Sequence, residues 1–551
     1  MTGKRHICLL IVILVFQVMQ LTAQHTPGFY FIRFTDKNGS AFSIDYPEAF
    51  LSQKAIDRRI RQNIPVTVED LPLSSLYTDS LHSLGLDIHA KTKWMNAVTV
   101  RTSDTALLDT LEKLDFIASV ERTRPLTIKK SLIKKWRDNL TKNANSTFSE
   151  TGITSLKQLS MLNGDQLHDL GYTGKGITIA ILDAGFYHAN ALPAFDSLFT
   201  GNQILGTYDF VSGDSEVYND HAHGMYVLSL LGGNIPGQLI GSAPGADYWL
   251  LRSEDALTEY IIEEDYWTMA AEFADSAGAD IISSSLGYFL FDDSTQNHTY
   301  QDMNGRTTRV ARAAAMAAAR GIIVVASAGN EALSSWHYII SPADADSILA
   351  VGAVDSLNNV ASFSSKGPSS DGRVKPDVSA MGVQDIIQGS SGTLVRGNGT
   401  SFSAPIISGL TACLWQAFPD AGALEIIETI KQSADHFNNP DNDTGYGTPD
   451  YLLAFSQLSS IRHLNPAKEA MVFPNPFSNQ LFIALSDSQN TLLTLTFYDL
   501  TGKILLKEQL KRSSPNQIII ITDHLSGLPA GFLILRISGK NLELSLKIIK
   551  E

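Results

Sequence analysis

Cysteine is nearly absent from this chain. Its 551 residues include two, and Cys8 falls in a leader expected to be removed, which leaves Cys413 alone. No intramolecular disulfide can then form, so the fold is not stapled by cross-links. Cys413 sits inside an apolar run and reads as a small core residue. No Cys/His cluster has zinc spacing, and no His-Glu-x-x-His occurs. Beyond the leader no stretch reaches about 18 uninterrupted apolar residues, so no transmembrane helix is expected. Positive charge is also scarce: 42 Lys and Arg against 57 Asp and Glu give a net charge of −15. That balance argues against nucleic acid as a partner, because phosphate binding needs a basic surface. With 44% apolar and 18% charged residues the composition is that of a globular protein. The length suggests roughly three or four domains.

At the N-terminus Lys4, Arg5 and His6 precede an apolar run from Ile7 to Phe16, and Leu21-Thr22-Ala23 comes before Gln24. A basic segment, a short apolar segment and a small residue at the cut define a secretory signal peptide over residues 1–23. Residues 24–125 alternate strand and helix patterns. Strands are expected over Phe29–Thr35, Leu86–Lys93, Asn96–Arg101 and Phe116–Glu121. Helices are expected over Pro47–Gln62, Leu73–Leu84 and Ser103–Leu114. Residues 126–150 turn polar and basic, with Lys129, Lys130, Lys134, Lys135, Arg137 and Lys142, and read as an exposed linker in which maturation cleaves.

Chemistry concentrates between residues 151 and 460. Gly399-Thr400-Ser401-Phe402-Ser403-Ala404-Pro405 leads into a run that is apolar on almost every side, as expected of a buried helix. Pro405 is tolerated only in the first turn, so the helix begins at about Ser401. There the free N–H groups and the positive end of the helix can stabilise developing negative charge. The plain alternative makes Ser401 an N-cap. Ile177–Leu182 is a nearly continuous apolar run, typical of a buried parallel strand, and ends at Asp183-Ala184-Gly185. Functional groups collect at the carboxyl edge of such sheets, although an Asp there also serves as a turn residue. His221-Ala222-His223-Gly224-Met225 opens a further helix. Gly321–Ala326 is another buried strand, followed by Ser327-Ala328-Gly329-Asn330; Asn after Gly is otherwise a turn residue.

The heptamer around Ser401 resembles the nucleophile motif of the subtilases, the subtilisin-like serine proteases. Asp183, His223, Asn330 and Ser401 occur in the family's order, each at a junction of strand or loop with helix. The resemblance implies a parallel-sheet, three-layer α/β catalytic domain with Asp183, His223 and Ser401 as triad and Asn330 in the oxyanion hole. It makes His223, directly before Gly224, the general base and His221 a decoy. Met225 stands where the family usually has Thr. Ser285-Leu286-Gly287 matches the segment that runs antiparallel to substrate, and Ile340 falls at the floor of the S1 pocket. A branched side chain there implies small or medium apolar P1 residues. The 24–125 region resembles the α+β propeptide of subtilases, a folding chaperone and inhibitor, here with an extra helical insertion. No organic cofactor is implied. Calcium stays open without clear ligands: Asp220 and Asp247 read as solvated, and Asp441, Asn442 and Asp443 form an acidic turn that need hold no ion.

After Asn465-Pro466 the pattern becomes strand-rich, with Leu481–Leu485, Leu492–Tyr498, Ile504–Glu508, Gln517–Thr522, Phe532–Ile537 and Leu542–Lys550. Pro474-Asn475-Pro476, a Tyr-Asp-Leu-Thr-Gly-Lys turn and Leu528-Pro529-Ala530-Gly531 resemble the sorting domain of type IX secretion. Residues 465–551 are therefore expected to be a β-sandwich read by the export machinery. The expected protein is a secreted serine endopeptidase made as a zymogen, acting on proteins or peptides. A processing protease with one preferred target is a narrower version, and a catalytically silent binding protein of the same fold is the alternative. An α/β-hydrolase esterase is disfavoured, since Ser401 is followed by Phe-Ser rather than x-Gly.

Overall fold

The computed structural model describes residues 26–127, 139–141, 155–462, 470–473, 476–477, 481–485, 492–511, 519–521, 524–540 and 542–550. The leader and most of the linker lie outside the described residues.

The N-terminal domain is an antiparallel sheet of β1 (Gly28–Phe34), β2 (Asp87–Thr92), β3 (Ala97–Thr102) and β4 (Ile117–Pro125) in the order β2-β3-β1-β4. Its helices are α1 (Gln53–Arg61), α2 (Ser75–Ser83) and α3 (Ala106–Leu111). The helix expected over 47–62 is in fact broken: a 3-10 turn at Pro47–Ala49 is followed by α1, which starts where the Ser52 hydroxyl accepts the Ala55 N–H at 3.2 Å. After the short strand β5 (Asn139–Thr141) comes the central parallel sheet. It is built from β6 (Thr178–Asp183), β7 (Ile204–Asp209), β10 (Asp247–Arg252), β11 (Ile281–Ser284), β12 (Ile323–Ser327), β13 (Leu349–Val354) and β14 (Val378–Met381). Its order is β14-β13-β12-β11-β6-β10-β7, and a small hairpin, β8 (Asn234–Ile235) with β9 (Leu239–Ile240), stands apart from it.

Successive residues of one strand enter two different cores, which is why these strands read as unbroken apolar runs. Ile179 and Ile181 pack with α4 (His223–Gly232) and α7 (Thr400–Ala417), while Ala180 and Leu182 pack with α5 (Ile262–Ala277) and α6 (Arg309–Ala319). The result is three layers. The helical pattern of Leu257–Gly278 predicts a helix from Leu257, but α5 starts only at Ile262, and Leu257 is exposed in a loop. A further antiparallel sheet of β15 (Val383–Gln388) and β16 (Leu394–Asn398) takes β5 as its third strand. The C-terminal module forms two sheets, of β17 (Ala470–Phe473), β18 (Leu481–Leu485) and β21 (Ile519–Ile521), and of β19 (Leu492–Tyr498), β20 (Ile504–Lys511), β22 (Gly531–Gly539) and β23 (Leu542–Lys550). Leu481, Leu495, Phe497 and Leu535 from both sheets share one core, as in a β-sandwich.

The N-terminal domain is docked on α5 and α6. Phe29, Phe31, Trp94 and Met95 belong to the same core as Trp267 and Ala314. The Glu272 carboxylate accepts the backbone N–H groups of Lys93 and Trp94 at 2.8 and 2.9 Å. Arg58 and Arg59, both buried, pair with the buried Asp275, Arg59 at 2.8 Å. Burial holds Glu272 up at about 7, against 4.5 for an ordinary glutamate, and pushes Asp265, which accepts from Thr99, up to about 6.

A carboxyl whose pKa is higher docked than free strengthens docking fully below the free value and loses that contribution as the pH rises through the docked one. The window for Glu272 therefore runs from about 4.5 to about 7. Asp275 is held low, by Arg58 and Arg59 against its burial, and acts with opposite sign only in stronger acid. In a full chain nicked between residues 127 and 139, the two parts should co-elute on size exclusion at pH 5 and separate more readily at pH 8. Glu272→Gln should flatten that dependence, whereas an unchanged slope would assign it to other groups.

Candidate active site

The carboxyl edge of the sheet gathers the polar residues singled out in the sequence. Asp183 ends β6, is fully buried, and its Oδ1 accepts the Ala184 N–H at 2.7 Å. The same oxygen lies 2.8 Å from Nδ1 of His223, the first residue of α4. This approach depends on Gly224: a Cβ there would stand 2.5 Å from the Gly185 carbonyl oxygen and 2.9 Å from the Asp183 Cβ. Gly185, at φ 139°, is equally constrained, since its Cβ would meet the His221 backbone at 2.7 Å. The two glycines therefore let helix and strand end touch. His221 is placed differently: its Nδ1 accepts the His223 backbone N–H at 3.3 Å. Met225 is fully buried in the inner core, so the departure from the usual threonine falls on packing.

Ser401 is the second residue of α7, with Gly399 at the N-cap position, so its hydroxyl is not the cap expected of a serine at a helix start. It is 5% exposed, and its carbonyl accepts the Ser285 hydroxyl at 2.9 Å. The rings of His223 and Phe402 lie 6.3 Å apart, which brings the starts of α4 and α7 side by side. Asn330 follows β12, and its Oδ1 accepts both the backbone N–H and the hydroxyl of Thr400, at 2.9 and 3.0 Å. Thr400 Oγ1 in turn accepts the Gly329 N–H at 3.2 Å. With the amide oxygen committed to Thr400, the orientation of the Asn330 side chain is fixed and its NH2 is turned the other way.

Ile340 is 8% exposed and packs between Gly287 and Gly329, where added Cβ atoms would lie 2.3 and 2.9 Å from its side chain. Ser285-Leu286-Gly287 is not itself a strand; the nearest pairing is an isolated antiparallel bridge between Tyr288 and Ser341. Leu286 is buried in the outer core.

Arg252 was not legible as a site residue. It ends β10 in register with Asp183, donates to the Ala184 carbonyl at 3.2 Å and pairs with Asp209 at 2.6 Å and Asp220 at 3.4 Å. Asp220 is therefore half-buried and ion-paired rather than solvated. Its one sequence signal is a charge closing an otherwise apolar strand. The acidic turn at 441–443 satisfies itself: Asp441 accepts from the backbone of Asp443 and Thr444, and Asp443 pairs with Lys366 at 2.9 Å. Among the described residues, the group with metal-like spacing is Glu254, Glu259 and Glu263, all buried.

Cys413 is buried, and burial pushes its thiol far above the range of a reactive cysteine. No helix among the described residues is long and apolar enough to cross a membrane.

A seven-stranded parallel α/β domain with a carboxylate–imidazole pair beside a serine at a helix N-terminus defines a serine hydrolase. Comparison with known proteins narrows the class. Residues 174–447 match the subtilase family, residues 29–139 the S8 peptidase propeptide domain of Bacteroidota, and residues 471–551 a secretion-system C-terminal sorting domain. Subtilisin DY of Bacillus licheniformis is 30% identical over 282 residues, covering 50% of this chain and 90% of its own. Serine protease AprX of Bacillus subtilis is 31% identical over 298 residues, covering 49% of this chain and 63% of its own, just under two thirds. The solved structure of MycP1 from Mycobacterium smegmatis aligns over 58% of this chain and 89% of its own, with 22% identity and a TM-score of 0.43. The chain belongs to the subtilase family of serine proteases, with a propeptide domain ahead of the catalytic domain and a secretion-system sorting domain behind it.

Thr400→Val keeps the volume but removes the hydroxyl that holds Asn330. It should lower kcat about tenfold with KM little changed, the mark of a group whose partner acts in the transition state. Steady-state kinetics on a peptide anilide reads the split; a rise in KM alone would place Thr400 in substrate binding instead.

Proposed function

We propose that Asp183, His223 and Ser401 form the triad of a secreted endopeptidase made as a zymogen, with Asn330 as oxyanion donor. The observation that carries this reading is the 2.8 Å contact between Asp183 and the Nδ1 of His223. It fixes the tautomer that leaves Nε2 as base toward a hydroxyl on the neighbouring helix start. Ser401 attacks the scissile carbonyl while His223 takes its proton and later passes it to the leaving amine. Asp183 stabilises the imidazolium in between. Negative charge on the carbonyl oxygen is met by the Asn330 NH2 and the Ser401 backbone N–H at the positive end of α7. The plain alternative, a silent fold used for binding, loses its main motive because Met225 is a core residue.

The reading extends to specificity and maturation. Ile340, wedged between two glycines, leaves room for small or medium apolar P1 side chains and excludes large aromatic ones. Residues 1–23 act as signal peptide, 24–125 as propeptide, 126–150 as the cleaved linker, 151–460 as catalytic domain and 465–551 as sorting domain. The chain leaves β4 at Pro125 and next appears as β5, paired antiparallel with β16, the strand that leads directly into α7 and Ser401. Strand addition of this kind is a way of holding a peptide across a cleft. That pairing supports maturation by the chain's own serine within the 126–150 linker. Asp183, His223 and Ser401 act as one unit, so losing the nucleophile should cost nearly all activity.

Purified full chain should mature and digest casein, while Ser401→Ala should stay full length, leave casein intact and refuse a fluorophosphonate label. Wild-type protein that takes no label would establish the silent fold instead.

A further inference from the structure

The hairpin of β15 and β16 connects the two helices that carry the reacting groups. On β15 the Gln388 N–H donates to the Ser229 hydroxyl of α4 at 3.1 Å, and that hydroxyl donates to the Tyr226 carbonyl at 2.7 Å. The Ile386 N–H donates at 2.7 Å to the side-chain carbonyl of Gln158, in the short helix Leu156–Ser160. β16 pairs with β15 and runs through Asn398 and Gly399 into α7 and Ser401. It presses on the nucleophile helix, since a Cβ at Gly397 would stand 2.4 Å from the Phe402 ring. The relative placement of His223 and Ser401 therefore passes through this hairpin.

The pairing is irregular where the chain approaches the serine. Its register shifts between Val383 and Asp385, and the intervening Gln384 sits at φ 62°. A non-glycine residue there is strained, and bulges of this kind re-aim the chain beside active sites. Two side chains hold it: Asn398 Oδ1 accepts the Gln384 N–H at 2.8 Å, and Arg396 donates to the Gln384 carbonyl at 2.9 Å.

Asp385 follows the bulge and pairs with Gly397. It is fully buried, and neither carboxylate oxygen has a hydrogen-bond partner among the described residues. A carboxyl buried in this way keeps its proton, because the ionised form would have lost its solvent without gaining a partner. The ionisable groups on the elements packed against it do not alter this. On α4, His223 is engaged with Asp183 and burial pushes the Tyr226 phenol up, while Lys157 on the short helix is exposed. Arg396 on β16 relieves the carboxyl in part, but burial prevails and pushes Asp385 up to about 8, against 3.8 for an ordinary aspartate.

We propose that Asp385 is a positioning residue that works as the neutral acid: protonated, it lets the hairpin pack and hold Ser401 against His223, and loss of the proton to solvent loosens the hairpin and silences the enzyme reversibly in alkaline solution. The inference rests on the protease reading above. The unfolded chain ionises near 3.8 and the folded one near 8, so this group's contribution to stability is full below about 3.8 and is lost as the pH rises to about 8. Activity follows the folded form, whose neutral fraction falls to about one tenth at pH 9.

The test is the alkaline limb of kcat for the self-matured full chain on a peptide anilide. Between pH 7 and pH 9 wild-type kcat should fall about tenfold and recover on return to pH 7. Asp385→Asn, which keeps the shape and cannot ionise, should match wild type at pH 7 and lose less than about twofold at pH 9. Asp385→Leu, apolar and of similar size, should behave likewise and serves if the first variant fails to fold. In the Ser401→Ala background, which cannot digest itself, the Tm gap between either variant and the Asp385 chain should widen in the variant's favour from pH 5 to pH 8. Variants that keep the wild-type alkaline limb and a constant Tm gap would overturn the assignment. So would a folded variant inactive at pH 7, which would show that the carboxylate is needed as an anion. Fluorophosphonate labelling of wild type at pH 7 leaves the protease standing in either case; its absence would sink the protease reading and this one with it.

Discussion

Everything in this protein turns on one close approach: an imidazole at a helix start brought against a fully buried carboxylate at a strand end. Burying a charge without a partner is costly, and the Asp183 carboxylate offsets that cost with the Ala184 N–H and the His223 ring. The contact needs backbones nearly touching, which only glycine at 185 and 224 permits. It also needs the β6–β10 edge to hold still. Arg252 does that by joining the Ala184 carbonyl to Asp209 and Asp220, so a second ion cluster stiffens the turn that carries the first. Gly409 plays the same part inside α7, where a Cβ would stand 2.0 Å from the hydroxyl of Ser242. The nucleophile helix is thereby packed against the chain with no room to shift.

The propeptide exploits the opposite face. It covers α5 and α6 with apolar side chains, but it also buries polar contacts: the Arg58 and Arg59 guanidinium groups on Asp275, and two backbone N–H groups on the Glu272 carboxylate. Buried ion pairs add little net stability when intact and cost several kcal/mol when one partner is lost. Such an interface is specific while assembled and vulnerable once the covalent link is cut, which suits a propeptide domain that must eventually leave. Apolar burial alone would hold a cleaved propeptide in place with no dependence on pH.

Legibility in the sequence followed the range of the interactions. Ser401, Asn330 and Asp183 stood out because their requirements are local: a strand end, a Gly-Asn turn and a helix start. Pro405, expected in the first turn, lies instead in the second turn of α7, and the Ser401 carbonyl left open by its missing N–H accepts the Ser285 hydroxyl. His223 could be told from His221 by the following glycine, and the structure gives that glycine its steric reason. The two buried faces of the sheet and the period-2 strands of the C-terminal sandwich were equally plain. Arg252 was missed because its partners are distant in sequence, Asp209 being 43 residues earlier at the end of β7 and Asp220 32 residues earlier in the loop before α4. The helix expected from residue 257 was overextended because Glu259, Glu263 and Glu264 suit a helix start by composition. Tertiary contacts hold the first of them in a loop instead, with its N–H donated to Asp292 at 3.0 Å. The break after Ala49 was similarly invisible in the amphipathic pattern and is decided by the Ser52 cap.

That misread segment is informative. Residues 253–261 could have continued α5 toward the N-terminus at little cost, burying their acids against solvent-facing helix. They are drawn to the sheet edge, where Glu254 meets Tyr288 and the Glu259 N–H meets Asp292. The chain gives up helical hydrogen bonds there and satisfies the same groups through tertiary ones, so the start of α5 is set by contacts at the sheet edge rather than by helix propensity.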